Sequence, residues 1–564
     1  MNTNFLVTLK SDCSGGTGLR PNQMDRSEVV FSSDLTVRHV AQGNAVIIGD
    51  IFPKGTSRER DLDQYEGVEF CIRQIANGYW GRFVAIVHDP ATGTTAIYRD
   101  PSGMIPCYYV GDRQDVAIGT DAGQLLESLN CKARIDWHGV VDCLVAPDLR
   151  RGRTCLSDVF EIVPGQMITI DQGGVHRRQI WSPGSFLGSN VKLRFEEAAT
   201  LLHDELVATL DNWVSLYPHL SITVSGGFDS SAISVLARNA ATLDLLHFFT
   251  TSPRADERPY VETLGHHLGR DVRKVLCGAE GIDVGSNRSS YRPWPSARCF
   301  TQIFDDTARS SIMVRHGAAH VSGGGGDNVF GKLHSAYPLA DQYRLTGLSS
   351  GLVSTAFDIC DITGSSLPDV LRQAFSGLRK RHPVAAWPQQ TELLTAHALT
   401  LRDDGVHPWL EMGEEALPGQ RQLVRNIARA AAATDYLNIE SECPTLYPLL
   451  SQTIIELCLS FPTWYWFSKG RDRSLARSAL DGDLPSELLD RTGKGAFDGL
   501  LNQVLEHHRS RIFNDLTTGL LADQGLIDVG AIQKAGRVPE GMLYNSSRIL
   551  HIHEIEMWCR HWGV

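Results

Sequence analysis

Val224-Ser225-Gly226-Gly227-Phe228-Asp229-Ser230-Ser231 decides how this chain folds. The run sits between an apolar strand pattern, Leu220-Ser221-Ile222-Thr223-Val224, and an apolar helical stretch from Ala232 through Leu236 and onward. Two glycines let the backbone approach a phosphate with no Cβ in the way. Ser225, Ser230 and Ser231 add hydroxyl donors, and the N–H groups of the new helix favour negative charge at its start. Asp229 would repel a bare phosphate, so it suits a carboxylate that holds phosphate-bound Mg²⁺. The other reading is a plain strand-to-helix turn with Asp229 in the first turn. The Asp-Ser-Ser ending and the flanking elements weigh against it.

Working outward, Phe195, Ala198, Leu202, Leu206 and Leu210 recur at helical spacing before the strand. Leu245-Leu246-His247-Phe248-Phe249-Thr250 reads as the next strand and Val261 to Leu268 as the next helix. Strand, helix, strand, helix predicts a parallel sheet with helices on its faces. A second glycine loop follows another apolar strand: Ser322-Gly323-Gly324-Gly325-Gly326-Asp327-Asn328-Val329-Phe330-Gly331. Consecutive glycines are costly to order and are expected where backbone must touch a ligand closely. In an open parallel sheet both loops fall at carboxyl ends of strands, where ligands bind. Asp229 and Asp327 then become candidates for one shared metal. A flexible surface loop is the alternative for the second motif. Beyond about residue 340 the pattern is mostly helical, and Ile549 to Trp562 reads as a packed helix.

Residues 1–185 read differently. Ala45-Val46-Ile47-Ile48-Gly49 is a short buried-strand pattern, and Gly81 to Asp89, a turn at Pro90-Ala91-Thr92-Gly93, and Thr95 to Asp100 read as a hairpin. A further strand pair surrounds Cys107 to Val110 and Val116 to Gly119. Ser182-Pro183-Gly184-Ser185 and Gly188-Ser189-Asn190 look like a linker, which divides the chain into 1–187 and 188–564.

The 564 residues carry 53 Lys+Arg against 65 Asp+Glu, a net charge of −12. No basic excess exists to neutralise phosphates, so no nucleic-acid partner is expected. The 12 cysteines are scattered with no CxxC pair, which fits reduced thiols better than a zinc or redox site. The start lacks the pattern of a secretory signal, and no apolar run approaches ~18 residues. A cytoplasmic protein without a membrane span is expected.

Together these motifs resemble the asparagine-synthetase type of ATP pyrophosphatase. SGGFDSS is similar to that family's pyrophosphate loop and SGGGGDNVFG to its later SGxGxDxxFGG loop. His247 to Thr251 with Asp256, Glu257 and Tyr260 resembles its adenine-side strand and acidic loop. Tyr447-Pro448-Leu449-Leu450, Lys469-Gly470-Arg471-Asp472-Arg473, Leu484-Pro485 and Arg491-Thr492-Gly493-Lys494-Gly495-Ala496-Phe497 resemble its C-terminal helical part. Trp80 to Ile86 and Arg99-Asp100-Pro101-Ser102-Gly103 resemble its glutaminase half. The resemblance implies an α/β fold: an N-terminal degenerate Ntn-glutaminase-like αββα domain and a C-terminal adenine-nucleotide α-hydrolase-like (PP-loop) domain with a helical end. It implies ATP and Mg as cofactors, with Mg²⁺ on Asp229 and Asp327. Pyrophosphate falls to Ser225, Gly226, Gly227 and Ser230, with Ser231 beside them. Ser322 and Gly323 come near the α-phosphate, and Val224 and Thr250 meet adenosine through backbone. Lys494 matches the lysine that stabilises the charged intermediate of acyl transfer.

Two departures shape the expected function. The family's glutaminase uses a cysteine directly after the initiator Met, where this chain has Asn2; Cys13 is the nearest thiol and is internal. An amide cannot replace a thiolate, so the first domain is expected to be structural or peptide-docking. Gly324 stands where asparagine synthetases carry Glu and β-lactam synthetases Tyr, which is expected to leave more room. These features look most like the lasso-peptide cyclases. The implied reaction adenylates an Asp or Glu side chain of a leaderless precursor peptide, and the peptide's N-terminal amine then closes a macrolactam ring. A leader peptidase and a leader-recognition protein are implied partners. Trp464-Tyr465-Trp466-Phe467, with Trp294 and Trp387, could supply apolar pocket walls, but core packing is the favoured reading for each ring taken singly. An ammonia-using asparagine synthetase, a β-lactam-synthetase-like small-molecule cyclase and a non-catalytic ATP-binding scaffold remain the alternatives.

Overall fold

Apolar side chains at alternate positions build the first part of the molecule as two facing sheets. The structure is a computed structural model, and it describes all residues except 1–4, 10–21, 24–28, 34, 56–61, 113–114, 190–191, 252–255, 286–291, 296–301, 303–316, 380–386, 414, 435–442, 492, 494–497, 540–544 and 564. Its early strands are β1 (Phe5–Leu9), β2 (Asn22–Gln23), β3 (Val29–Ser33), β4 (Val37–Val40), β5 (Ala45–Pro53), β6 (Tyr79–Asp89), β7 (Thr94–Arg99), β8 (Tyr108–Gly111), β9 (Val116–Gly119), β10 (Val159–Glu161), β11 (Gln166–Asp171) and β12 (Gly174–Gln179). They pair in the orders β10-β8-β9-β1-β3-β2 and β12-β11-β7-β6-β5-β4. Three helices accompany them: α1 (Val68–Gly78), α2 (Ala122–Ser128) and α3 (Trp137–Val145).

The alternation assigns the layers. Val46, Ile48, Val84, Ile86 and Ile97 meet Val7, Tyr109 and Ile118 between the sheets. Their neighbours Ala45, Ile47, Phe83 and Ala85 face Cys71, Ile72 and Ile75 of α1. On the opposite side Tyr108, Val110 and Ala117 pack with Leu125 and Leu126 of α2. Helix, sheet, sheet, helix is the αββα sandwich expected.

The chain then enters α4 (Phe195–Leu216) and a five-stranded sheet. Its strands are β13 (His219–Thr223), β14 (Thr242–Phe249), β15 (Val272–Leu276), β16 (Ala318–Ser322) and β17 (Thr445–Leu446), in the order β15-β14-β13-β16-β17. Every pairing in it is parallel. Helices α5 (Phe228–Leu236) and α6 (Arg258–Leu268) connect the first three strands. From β13 the chain steps one way to β14 and β15, then returns to place β16 on the other flank. The strand order therefore reverses between β13 and β16, the place where open α/β sheets bind ligands. Helices dominate the remainder, ending with Ser546–Trp562. Among the described residues no helix is long and apolar enough to cross a membrane.

An aromatic seam joins the two parts. Trp213 of α4 meets Phe52 edge-on at 5.0 Å and Trp80 at 5.8 Å, and its indole donates to Ser451 Oγ at 3.0 Å. Trp181 and Trp409 lie 5.2 Å apart, and the Trp409 indole donates to Pro164 O. Tyr217 donates to Asp50 Oδ2 at 2.7 Å, and that carboxylate also binds buried Arg82. Phe52, Trp80, Met104 and Trp181 thus belong to the same apolar core as the parallel sheet.

Candidate functional site

The two glycine loops leave neighbouring strand ends and touch. Val224 ends the first strand with its N–H donated to Leu246 O at 2.8 Å and its carbonyl accepting from His247 Nδ1 at 2.8 Å. The neighbouring strand thus engages the Val224 N–H and the His247 ring its carbonyl. Burial holds His247 below its ordinary range, so the ring stays neutral. Thr250 follows directly at the end of β14 and is half-buried.

Ser225 and Ser230 close the first loop into a small polar turn. Ser225 N donates to Ser230 Oγ at 3.1 Å, and Gly227 N donates to Ser225 Oγ at 3.3 Å. Gly226 has φ +67, and a Cβ there would lie 2.9 Å from Tyr260 Cβ, so this position requires glycine. Gly227 caps α5, whose first N–H groups have no partner within the helix. Ser231 is fully buried, and its hydroxyl has no hydrogen-bond partner in the structure.

The second loop lies across the start of α5. A Cβ on Gly323 would sit 2.8 Å from Ser230 N, and Gly324 N donates to Ser322 Oγ at 3.2 Å. Gly325, with φ +93, caps the short helix Gly326–Val329 that carries Asp327. Asp229 and Asp327, one from each loop, meet at one atom. Arg473 Nη1 lies 3.2 Å from Asp229 Oδ1 and 2.8 Å from Asp327 Oδ1. Lys332 Nζ stands 3.6 Å from Asp327 Oδ2. Facing the two acids raises the Arg473 pKa further, against the opposing effect of burial.

These acids fit a Mg²⁺ ion by donor type and placement: two hard carboxylates converge on a point that a cation already occupies. No cluster of three or more His, Cys, Asp or Glu able to hold a metal occurs among the described residues. Two carboxylates leave the other coordination positions to phosphate and water oxygens, the usual Mg²⁺ pattern.

A second arginine fixes the first loop. Arg491 Nη1 donates to Gly226 O at 2.6 Å, its other nitrogen pairs with buried Glu257, and its guanidinium carbon lies 3.9 Å from the Tyr260 ring centroid. Lys494 itself lies outside the described residues. Arg491, three positions earlier in the sequence, contacts the glycine turn. Sequence reasoning marked Arg473 and Arg491 only as parts of resembling segments; their contacts supply the roles.

One expectation is corrected. The space beside Gly324 is not open, because a Cβ there would lie 3.1 Å from two ring carbons of buried Tyr447. The aromatic run packs as the favoured reading has it, in cores, with Trp466 against the end of the second loop. Trp466 is 1% exposed and packs on Phe330 and Phe461, while Tyr465 donates to Leu193 O and meets Phe195. Trp294 is buried under Arg150. Trp387 stacks on His407 beside a separate cavity of about 180 Å³ between α3 and the segment 402–410. Apolar bulk draws Trp294 and Trp466 into cores, while Trp387 lines the separate cavity.

Comparison with known proteins agrees with this architecture. Residues 68–181 match the glutamine amidotransferase domain. Asparagine synthetase [glutamine-hydrolyzing] 3 of Bacillus subtilis (strain 168) is 25% identical over 225 residues, covering 38% of this chain; the match spans 34% of that relative's length. Among solved structures, the allosteric regulatory enzyme of purine biosynthesis aligns with TM-score 0.19 and 10% identity over 49% of this chain and 75% of its own. Glutamine phosphoribosylpyrophosphate amidotransferase from B. subtilis, complexed with ADP and GMP, aligns with TM-score 0.19 and 8% identity over 73% of this chain and 94% of its own. Residues 204–560, which hold both glycine loops, Arg473 and Arg491, match asparagine synthase, and the chain belongs to the asparagine synthase family.

Proposed function

We propose that this protein is an ATP-dependent, AMP-forming carbon–nitrogen ligase that closes a macrolactam ring in a leaderless precursor peptide. The observation that carries the first half is the meeting of Asp229 and Asp327 at a single cationic atom above two interlocked glycine loops. A carboxylate is a poor acyl donor, and attachment to AMP makes it a good one. Ser225, Gly226, Gly227 and Ser230 form the turn suited to pyrophosphate, with Ser322 and Gly323 on the side of the α-phosphate. Arg491 holds the Gly226 carbonyl, which fixes the peptide plane between the two glycines. Mg²⁺ bound by Asp229 and Asp327 would offset the charge that develops on the departing pyrophosphate. Lys494 is assigned by resemblance to the charged intermediate of acyl transfer.

The second half rests on the amine donor. Cys71 and Cys107 are buried in the first domain, and burial pushes their thiols up, Cys107 to about 12. Neither is poised as a thiolate. An amine carried by the substrate itself removes the need for released ammonia and makes acyl capture unimolecular, an advantage of up to about 7–11 kcal/mol in favourable systems. The first domain then serves as structure or as a peptide dock, and a leader peptidase and a leader-recognition protein would act before this step.

The test is incubation with ATP, Mg²⁺ and candidate leaderless peptides, following AMP, pyrophosphate and peptide mass. Loss of one water from the peptide with stoichiometric AMP is expected. Asparagine formed from aspartate and ammonium, with no dehydrated peptide, would replace this reading by the synthetase one. ATP binding without any AMP release would reduce the protein to a scaffold.

A further inference from the structure

Arg473 holds a position that a structural ion pair does not explain. A guanidinium normally meets one carboxylate through two parallel N–H groups. Here the single Nη1 is divided between two carboxylates on different loops, at 3.2 and 2.8 Å. The rest of the head is under-used: Nε is buried without a hydrogen bond, and Asp472 Oδ1 stands 3.6 Å away. The side chain is only 10% exposed.

The backbone is committed to this placement. Arg473 has φ 55 and ψ 30, a left-handed conformation that a long side chain adopts only when its surroundings impose it. Ser474 Oγ imposes it by accepting from Ser468 N at 2.8 Å and donating to Arg471 O at 2.7 Å. The Phe228 ring, 5.4 Å from the guanidinium carbon, closes one face. A strained, locked turn therefore aims a partly satisfied cation at the two acids.

We propose that Arg473 is an exchangeable counter-ion. It neutralises Asp229 and Asp327 when no nucleotide is present and transfers to phosphate oxygens when nucleotide arrives. Only the phosphate half rests on the ATP-dependent reading above. A divalent ion on the acid pair would stand beside the guanidinium, and like charges so close in a partly buried site repel strongly. Phosphate oxygens resolve the conflict, because the N–H fork of a guanidinium matches them. Metal is therefore expected to enter with nucleotide and not before it.

Mn²⁺ titrations of the full-length protein, read by electron paramagnetic resonance, test this. Wild type is expected to leave Mn²⁺ free when it is the sole addition and to bind it once α,β-methylene-ATP is present. Arg473→Met is expected to bind Mn²⁺ alone at least ~10-fold tighter than wild type and to bind the metal-free analogue at least ~10-fold more weakly. Arg473→Lys should move both values back toward wild type, and adding Asp327→Asn to Arg473→Met should remove the gained metal binding. Wild type that binds Mn²⁺ alone as tightly as with the analogue overturns the proposal, even where Arg473→Met does not fold. No peptide or turnover enters these titrations, so they fail or succeed independently of macrolactam formation.

Discussion

Gly326 and Asp229 leave no space between them: a Cβ built on Gly326 would lie 2.4 Å from Asp229 Cγ. One loop offers a hollow where a side chain is missing, and the acid of the other loop fills it. The separation of the two loops is set by this contact.

Gly326→Ala is accordingly expected to displace Asp229. It should cost about 1–3 kcal/mol in stability through overpacking and slow ATP–pyrophosphate exchange by ~100-fold or more through misplacement of the acid. Thermal melts and exchange assays on the same preparation check both. Normal exchange in this variant would mean that the loops do not act together.

Asp229→Asn and Asp327→Asn should each lower exchange by at least ~100-fold, and the double variant should be little worse than either single, since the two acids act as one unit. A double variant whose losses multiply would assign the acids to separate tasks.

Acid should weaken the fold through two buried histidines. Burial pushes His320 down to about 4 and His407 down to about 3. An unfolded histidine takes up its proton near ~6.5, so the unfolded state binds protons first. The stability these rings contribute is complete above that value. It falls as pH drops, until about 4 for His320 and about 3 for His407. Each adds a slope of about 1.4 kcal/mol per pH unit in its window. His407 Nδ1 accepts from Trp409 N at 3.1 Å, so its protonation also undoes a turn at the junction between the two parts. Urea midpoints from pH 7.5 to 5 should fall less steeply for His407→Gln, and an unchanged slope would count against this cause.

Trp213→Ala should cost about 3–5 kcal/mol and lower the melting of both parts together, because its ring is shared by Phe52, Trp80 and Ser451. Calorimetry that resolves an unshifted transition for the first part would show that the seam does not couple them.

Much of this was legible from local pattern. Leu220 to Val224 followed by SGG marks strand, turn and helix, and the run Gly81 to Asp100 marks its hairpin, since periodicity and turn chemistry act within a few residues. The arginines were not legible in the same way. Arg473 stands 244 positions from Asp229 and 146 from Asp327, a proximity that only the assembled fold creates. The aromatic run was legible as core, and the packing of Phe330 and Phe461 around Trp466 shows how it is built in.

Tyr447 against Gly324 has a consequence for divergence within the family. The ring and any side chain at 324 compete for one volume, so the two positions form a lock that accepts bulk from one side at a time. Enlarging residue 324 therefore calls for the ring of residue 447 to shift or shrink. Bulk at 324 is thereby tied to a paired exchange between a loop and the end of β17.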